Sequence, residues 1–453
     1  MKKLFVIAAA VLALVACNKE EKFEAAPQAE AIAVGFDTYV NRGVNTKAGY
    51  TAGQIKDVDV LATAGGFGVF AYYTDANEYD SNSVPNFMYN QQVVGTGSAG
   101  SYTWSYSPVK YWPNEYGSNA IADEKDKVTF FAYAPWVEVT PANGKIVGAP
   151  ALTTWGITGL TRNTAASDPM VKFMASFEAN KQVDLLWGVA PGSANTPGWK
   201  ISNDSGVQTL DKGLPWLNVE RPYDAADQKL QFHFMHALSQ LNVSIDADPD
   251  DAAHTGTAIA AKTKIYVRSI TFSGFAMKGA LNLNNTVAGE PYWKDYAGVD
   301  DLMTGEDVTI FDGRKDGKEG VAGATAANEK LLGLNKDIIS DDGNTTPGVT
   351  TTPVNLFQAD YVNVIPTGDA VNVTIVYDVE TEDENLAGYL SDGDTFGSSV
   401  KNTITKSAII SKLAPGQAYK IDIHLGLTSV KFDAEVHPWD SSADTSTWLP
   451  ENF

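Results

Sequence analysis

The chain carries one cysteine, Cys17, among 453 residues. That excludes an intramolecular disulfide, a disulfide framework and a Cys-rich zinc site. Positive charge is scarce as well: 33 Lys plus Arg stand against 55 Asp plus Glu, a net charge of −22. Such a balance repels phosphate, which argues against nucleic-acid binding and against docking on anionic lipid through a basic patch. Helical periodicity is rare, and the one apolar run of any length, Leu4 to Val15, is well short of the roughly 20 residues that span a bilayer. What remains is a chain of 44% hydrophobic and 19% charged residues, far from the composition of disorder. Aromatics at 11%, with 39 Gly and 20 Pro, favour strands joined by turns. At roughly 100–200 residues per domain the length predicts two or three domains.

The first residues read as an export signal. Lys2 and Lys3 form a charged start, Leu4 to Val15 the apolar segment, and Leu14-Val15-Ala16-Cys17 resembles the lipobox of bacterial lipoproteins. Residues 1–16 are thus a predicted signal peptide, and the Cys17 thiol is the predicted lipidation site. Each buried methylene contributes about 0.8 kcal/mol, so two or three acyl chains would anchor the precursor stably. The Ala/Glu/Pro-rich stretch to Glu30 lacks hydrophobic periodicity, so residues 17–30 form a predicted flexible tether.

From residue 31 onward strand signals dominate. Ile32, Val34, Phe36 and Tyr39-Val40 predict a first strand, followed by a polar loop over residues 41–49. The runs Phe67 to Tyr73, Val128 to Ala134 and Val183 to Gly188 are short, apolar and aromatic, as strands inside a sandwich are. Later, Val371, Val373, Ile375 and Tyr377 alternate with polar residues, as do Tyr419, Ile421, Ile423, Leu425 and Leu427. Val430, Phe432, Ala434 and Val436 continue that pattern, which predicts half-buried antiparallel strands. A boundary near residue 228 follows the polar segment Arg221 to Asp227 and divides the chain into domains over 31–228 and 229–453. The polar stretches Asp300 to Lys330 and Ser340 to Thr352 are expected to be surface excursions.

Several strings together resemble the fimbrillin family, the Mfa-like pilins and related surface lipoproteins of Bacteroidales bacteria. They are Pro85-Asn86-Phe87-Met88-Tyr89-Asn90-Gln91, Trp104 to Pro113, Phe130 to Pro135, Asp184-Leu185-Leu186-Trp187-Gly188 and Phe234 to Ser239. Leu413-Ala414-Pro415-Gly416-Gln417-Ala418-Tyr419 and the strand ending Val436-His437-Pro438-Trp439 complete the set. The resemblance implies an all-β chain of two tandem transthyretin-like β-sandwich domains. It further implies a pilus subunit or accessory subunit, for cell adhesion, exported as an outer-membrane lipoprotein. An Arg- or Lys-specific surface protease would remove the lipidated segment with the first strand, and other pilin subunits would be the assembly partners. Arg42 lies directly after the predicted strand, and Gly43 gives the backbone freedom to enter a protease cleft. Lys47 and Ala48 are the second choice in the same loop. The resemblance points to the C-terminal region of a neighbour as the replacing strand, with the tail after Trp439, alone or with part of the preceding strand, as candidate. That tail offers few apolar anchors, Trp448, Leu449 and Phe453. The competing reading is a surface lipoprotein that binds glycans.

Catalytic and metal chemistry find no support in the spacing. His233 and His236 are three apart, which places them on opposite faces of a strand. No Gly-x-Ser-x-Gly elbow occurs. Asp312 to Gly317 resembles a calcium loop but has Arg314 where an oxygen ligand belongs. The chain is therefore expected to be no enzyme, with no metal and no cofactor.

Overall fold

The computed structural model describes residues 32–40, 54–113, 125–148, 155–191, 200–203, 206–209, 211–221, 228–247, 263–296, 305–312, 332–333, 353–357, 360–387, 396–425, 430–438 and 447–448. Among these residues β-strands prevail, and none of the helices is long and apolar enough to cross a membrane. The all-β class read from the turn-rich, aromatic composition is what the structure has.

An eight-stranded sheet is built from β1 (Phe36–Val40), β2 (Phe67–Tyr73), β3 (Met88–Ser98), β4 (Ser101–Ser105), β5 (Lys127–Ala134), β6 (Leu186–Val189), β7 (Trp216–Glu220) and β8 (Leu230–His236). Its order is β1-β8-β6-β5-β2-β3-β4, with β7 also paired to β5. One face packs Phe67, Val69, Phe130, Phe232 and Phe234 into a first core; the other packs Phe70, Tyr72, Phe131 and Tyr133 into a second. Because both faces are covered, β2 and β5 are nearly continuous apolar runs rather than alternating ones. Gly188 permits this density at the centre of the sheet. A Cβ there would lie 2.9 Å from the Ala132 Cβ and 3.0 Å from the Phe232 ring.

The larger sheet contains β9 (Ser239–Ala247), β10 (Thr263–Ala276), β11 (Val362–Pro366), β12 (Val371–Ala387), β13 (Phe396–Ile410), β14 (Gln417–Leu425), β15 (Val430–Pro438) and β16 (Thr447–Trp448). Its path is β13-β12-β10-β11-β9-β14-β15-β16, with three further short strands joined to β9 and β10. Here alternation is clean: Val371, Val373, Ile375 and Tyr377 enter a third core, together with Ile421, Ile423 and Leu425. Residues Glu306–Asp312, expected in a surface excursion, form a strand paired to β10. The rest of Asp300 to Lys330 lies largely outside the described residues, as does all of Ser340 to Thr352.

The chain changes sheet between His236 and Ser239, some ten residues after the boundary expected near 228. Residues 278–282 and 292–294 then join a six-stranded sheet with Met170–Met174 and Gly156–Leu160, where Leu281 and Trp293 pack against Phe173. The Asn363 amide of β11 donates to Gln182 Oε1 at 2.8 Å, and the Asn363 side chain donates to the Val183 carbonyl at 2.9 Å.

Candidate functional site

The feature that sets this fold apart is its first strand. β1 is an edge strand, and it runs parallel to β8, pairing Phe36 with Leu230, Thr38 with Phe232 and Val40 with Phe234. The two strands are about 190 residues apart in sequence, so no local turn holds β1 in place. Its inward side chains do. Val34, Phe36 and Val40 are each 1% exposed. The Phe36 ring lies 5.3 Å from that of Tyr106 and 6.0 Å from those of Phe130 and Phe232. Alternation in the sequence explains this: the apolar residues take even positions, and Asp37 and Tyr39 take the outer ones.

The segment before β1 is gripped from the other side. The Trp112 amide donates to the Ile32 carbonyl at 2.8 Å, and the Val34 amide donates to the Lys110 carbonyl at 2.9 Å. The Tyr106 hydroxyl donates to the Val34 carbonyl at 2.8 Å. Residues 32–34 are thus bonded to the 110–112 backbone and residues 36–40 to β8, so the two halves of the segment lie along different backbone edges. On the outer face Tyr39 stacks on His233, with ring centroids 4.5 Å apart. Burial, and then the charge of Lys212, push the His233 pKa down to about 4, so the ring is neutral near pH 7. Its Nε2 is buried and makes no hydrogen bond among the described residues.

Cys17, Arg42, Gly43, Lys47 and Ala48 all lie outside the described residues. So does the tail after Trp439, apart from Thr447 and Trp448, whose backbone pairs with Val436 and Glu435 of β15. What the structure does place is the strand that ends two residues before Arg42.

The histidines divide as their spacing requires. His236 bonds through Nδ1 to the fully buried Asp184, whose Oδ2 also accepts from the Ile55 amide at 2.9 Å. Asp184 is the polar member of an otherwise apolar string, and that was the available signal for this clamp. His424 lies between two carboxylates, with Nδ1 2.6 Å from Asp246 and Nε2 3.2 Å from Asp433. Partial burial pulls the His424 pKa down. The Asp246 hydrogen bond and charge, followed by those of Asp433, outweigh this and raise it. No group of three or more His, Cys, Asp or Glu suited to a metal occurs among the described residues. The aromatic strings are mostly consumed by the cores: Trp104, Trp112, Trp187, Trp216 and Trp293 are all buried, while Tyr111 is exposed.

An all-β chain whose first strand fills the core from a sheet edge is the class that fold and site define. No protein-family model matches the chain. A curated relative, fimbrium subunit Fim1C of Phocaeicola vulgatus, is 31% identical over 163 residues, which is 33% of this chain and 38% of the relative. The chain therefore spans well under half the length of that relative. Among solved structures, a fimbrial protein from Bacteroides vulgatus is 20% identical, at a TM-score of 0.42, over 90% of this chain and 99% of that one. Over that third of its length the chain is similar to a fimbrium subunit.

Proposed function

We propose that the chain is a subunit, or an accessory subunit, of a surface fimbria that serves cell adhesion. It is exported as a lipoprotein through Cys17, held at the outer membrane by that anchor, and cut after Arg42, with Lys47 as second choice, by an Arg- or Lys-specific surface protease. Assembly then follows by strand exchange with other pilin subunits. One observation carries the reading: β1 fills the core of its sheet, ends at Val40, and pairs at the sheet edge with a strand about 190 residues away in sequence. Cleavage two residues further on would leave it free to depart, exposing apolar core and unpaired backbone that template a strand from another copy. A head-to-tail contact of this kind does not close and yields a filament. Burial of Trp104, Trp112, Trp187, Trp216 and Trp293 weighs against the glycan-binding reading, which needs rings held open on one face.

The test is isolation of native fibres and sequencing of their N-terminus. The expected start is Gly43 or, as second choice, Ala48. Fibres whose subunits still begin at the acylated Cys17 would refute maturation and strand release.

A further inference from the structure

The six-stranded sheet turns a row of lysines outward. Its strands run in the order Tyr292–Lys294, Lys278–Asn282, Met170–Met174, Gly156–Leu160, Lys145–Ile146 and Val139–Thr140. Val171, Phe173, Leu281 and Trp293 enter the core, so the residues alternating with them face out. Register places Lys294 beside Ala280, Ala280 beside Lys172, Lys172 beside Gly159 and Gly159 beside Lys145. Every second strand therefore sets a lysine on one line, at intervals of about 10 Å for strands about 4.8 Å apart. Lys278, two residues before Ala280, lies on the same face.

Such a concentration of positive charge is unexpected in a chain of net charge −22. Lys145 and Lys278 are exposed and, like Lys172, make no ion pair among the described residues. The Lys172 ammonium lies 5.6 Å from the Tyr296 ring centroid, and that of Lys294 lies 5.7 Å from the Tyr292 centroid. Aromatic faces attract these cations but do not neutralise them. Two carboxylates border the row. Asp168 is engaged by the Tyr79 hydroxyl and by the side-chain amides of Asn282 and Asn284, and Asp295 directly follows Lys294. The uncompensated charge thus lies toward Lys172 and Lys145.

We propose that this row binds a linear acidic polysaccharide laid across the strands, with its anionic groups on Lys145, Lys172 and Lys294 and its sugars against Tyr292 and Tyr296. The proposal rests on the adhesive reading above for its role and names the class of surface that adhesion would grip. Spacing favours this ligand over other polyanions. Duplex DNA presents a charge about every 1.7 Å, far denser than the row, and its field would meet repulsion from the whole acidic body. An anionic membrane would face that body in the same way. A glycan with acids set at intervals matches the lysines one by one. The Thr158 and Tyr296 hydroxyls, 2.8 Å apart, add hydrogen-bonding groups beside Lys172 for its own hydroxyls. Charge rather than an open tryptophan platform does the gripping, so the buried tryptophans do not count against it.

Binding of the unlipidated precursor to immobilised polygalacturonate and chondroitin sulfate tests this before any fibre forms. Capture by at least one polymer, weakened by salt, is expected, and the preferred polymer tells carboxylate from sulfate. Neutral dextran should capture nothing. Lys145→Gln, at an exposed position, should weaken binding about threefold, and Lys145→Gln with Lys172→Gln about tenfold. Lys145→Arg with Lys172→Arg should retain it. Lys401→Gln with Lys406→Gln on β13 removes the same charge elsewhere and should change nothing. Absence of binding to both polymers, or binding that loss of Lys145 and Lys172 leaves intact, would overturn the site. Equal capture by poly-glutamate would overturn its assignment to a glycan. Native fibres whose subunits begin at the acylated Cys17 would refute the maturation reading and leave this site standing.

Discussion

Replacing Phe36 by Ala separates the role of β1 in the precursor from its role in the fibre. The side chain is 1% exposed and has rings on four sides: Tyr106 at 5.3 Å, Phe130 and Phe232 at 6.0 Å, and Phe67 at 6.4 Å between centroids. Truncating a core Phe to Ala costs about 3–5 kcal/mol, the transfer term plus the cavity left behind. β1 lies at an edge and can shift toward the void, so the lower end, about 3 kcal/mol, is expected. With a urea dependence of about 1–3 kcal/mol per molar, the transition of the eight-stranded sheet should move down by about 1–3 M. Tryptophan emission is a suitable probe, since Trp216 is buried in this core and donates to the Gln231 carbonyl on β8. A shift below about 0.5 M in the unlipidated precursor would refute the claim that Phe36 holds the groove together. The same variant carries a second expectation: under the proposed cleavage residue 36 leaves with the excised segment, so fibres assembled from it should dissociate at the same temperature as wild-type fibres. Weakened fibres would show that β1 stays in its groove after assembly.

Three further outcomes are expected. Cys17→Ala should leave unprocessed precursor and abolish incorporation of a fatty-acid probe, and persistent labelling would contradict the lipobox reading. Asp378→Ala should destabilise the larger sheet by about 3–5 kcal/mol, because Arg268 Nε lies 2.8 Å from both carboxylate oxygens in a buried pair. A denaturant midpoint change equivalent to less than about 1 kcal/mol would count against that. The raised pKa of His424 means its protonated form is favoured by folding, so its contribution is full below the unfolded value of about 6.5 and is lost as pH rises through the folded value. The stability difference between wild type and His424→Gln should therefore shrink as pH is raised from 6 to 9, and a difference that grows would exclude the carboxylate clamp as its source.

What could be read from the sequence depended on how each strand meets solvent. Where one face is wet, as in β12 and β14, period-2 alternation named both the strand and its inward residues. In β2 and β5 both faces are buried, so the sequence showed apolar runs but not which residues serve which core. β10 escaped notice for a different reason. Its register against β12 shifts between Val267 and Ser269, which resets the alternation in mid-strand, and a buried Arg268 interrupts the apolar run. β1 was visible as a strand, yet its parallel pairing with β8 was not, since pairing across 190 residues leaves no local mark.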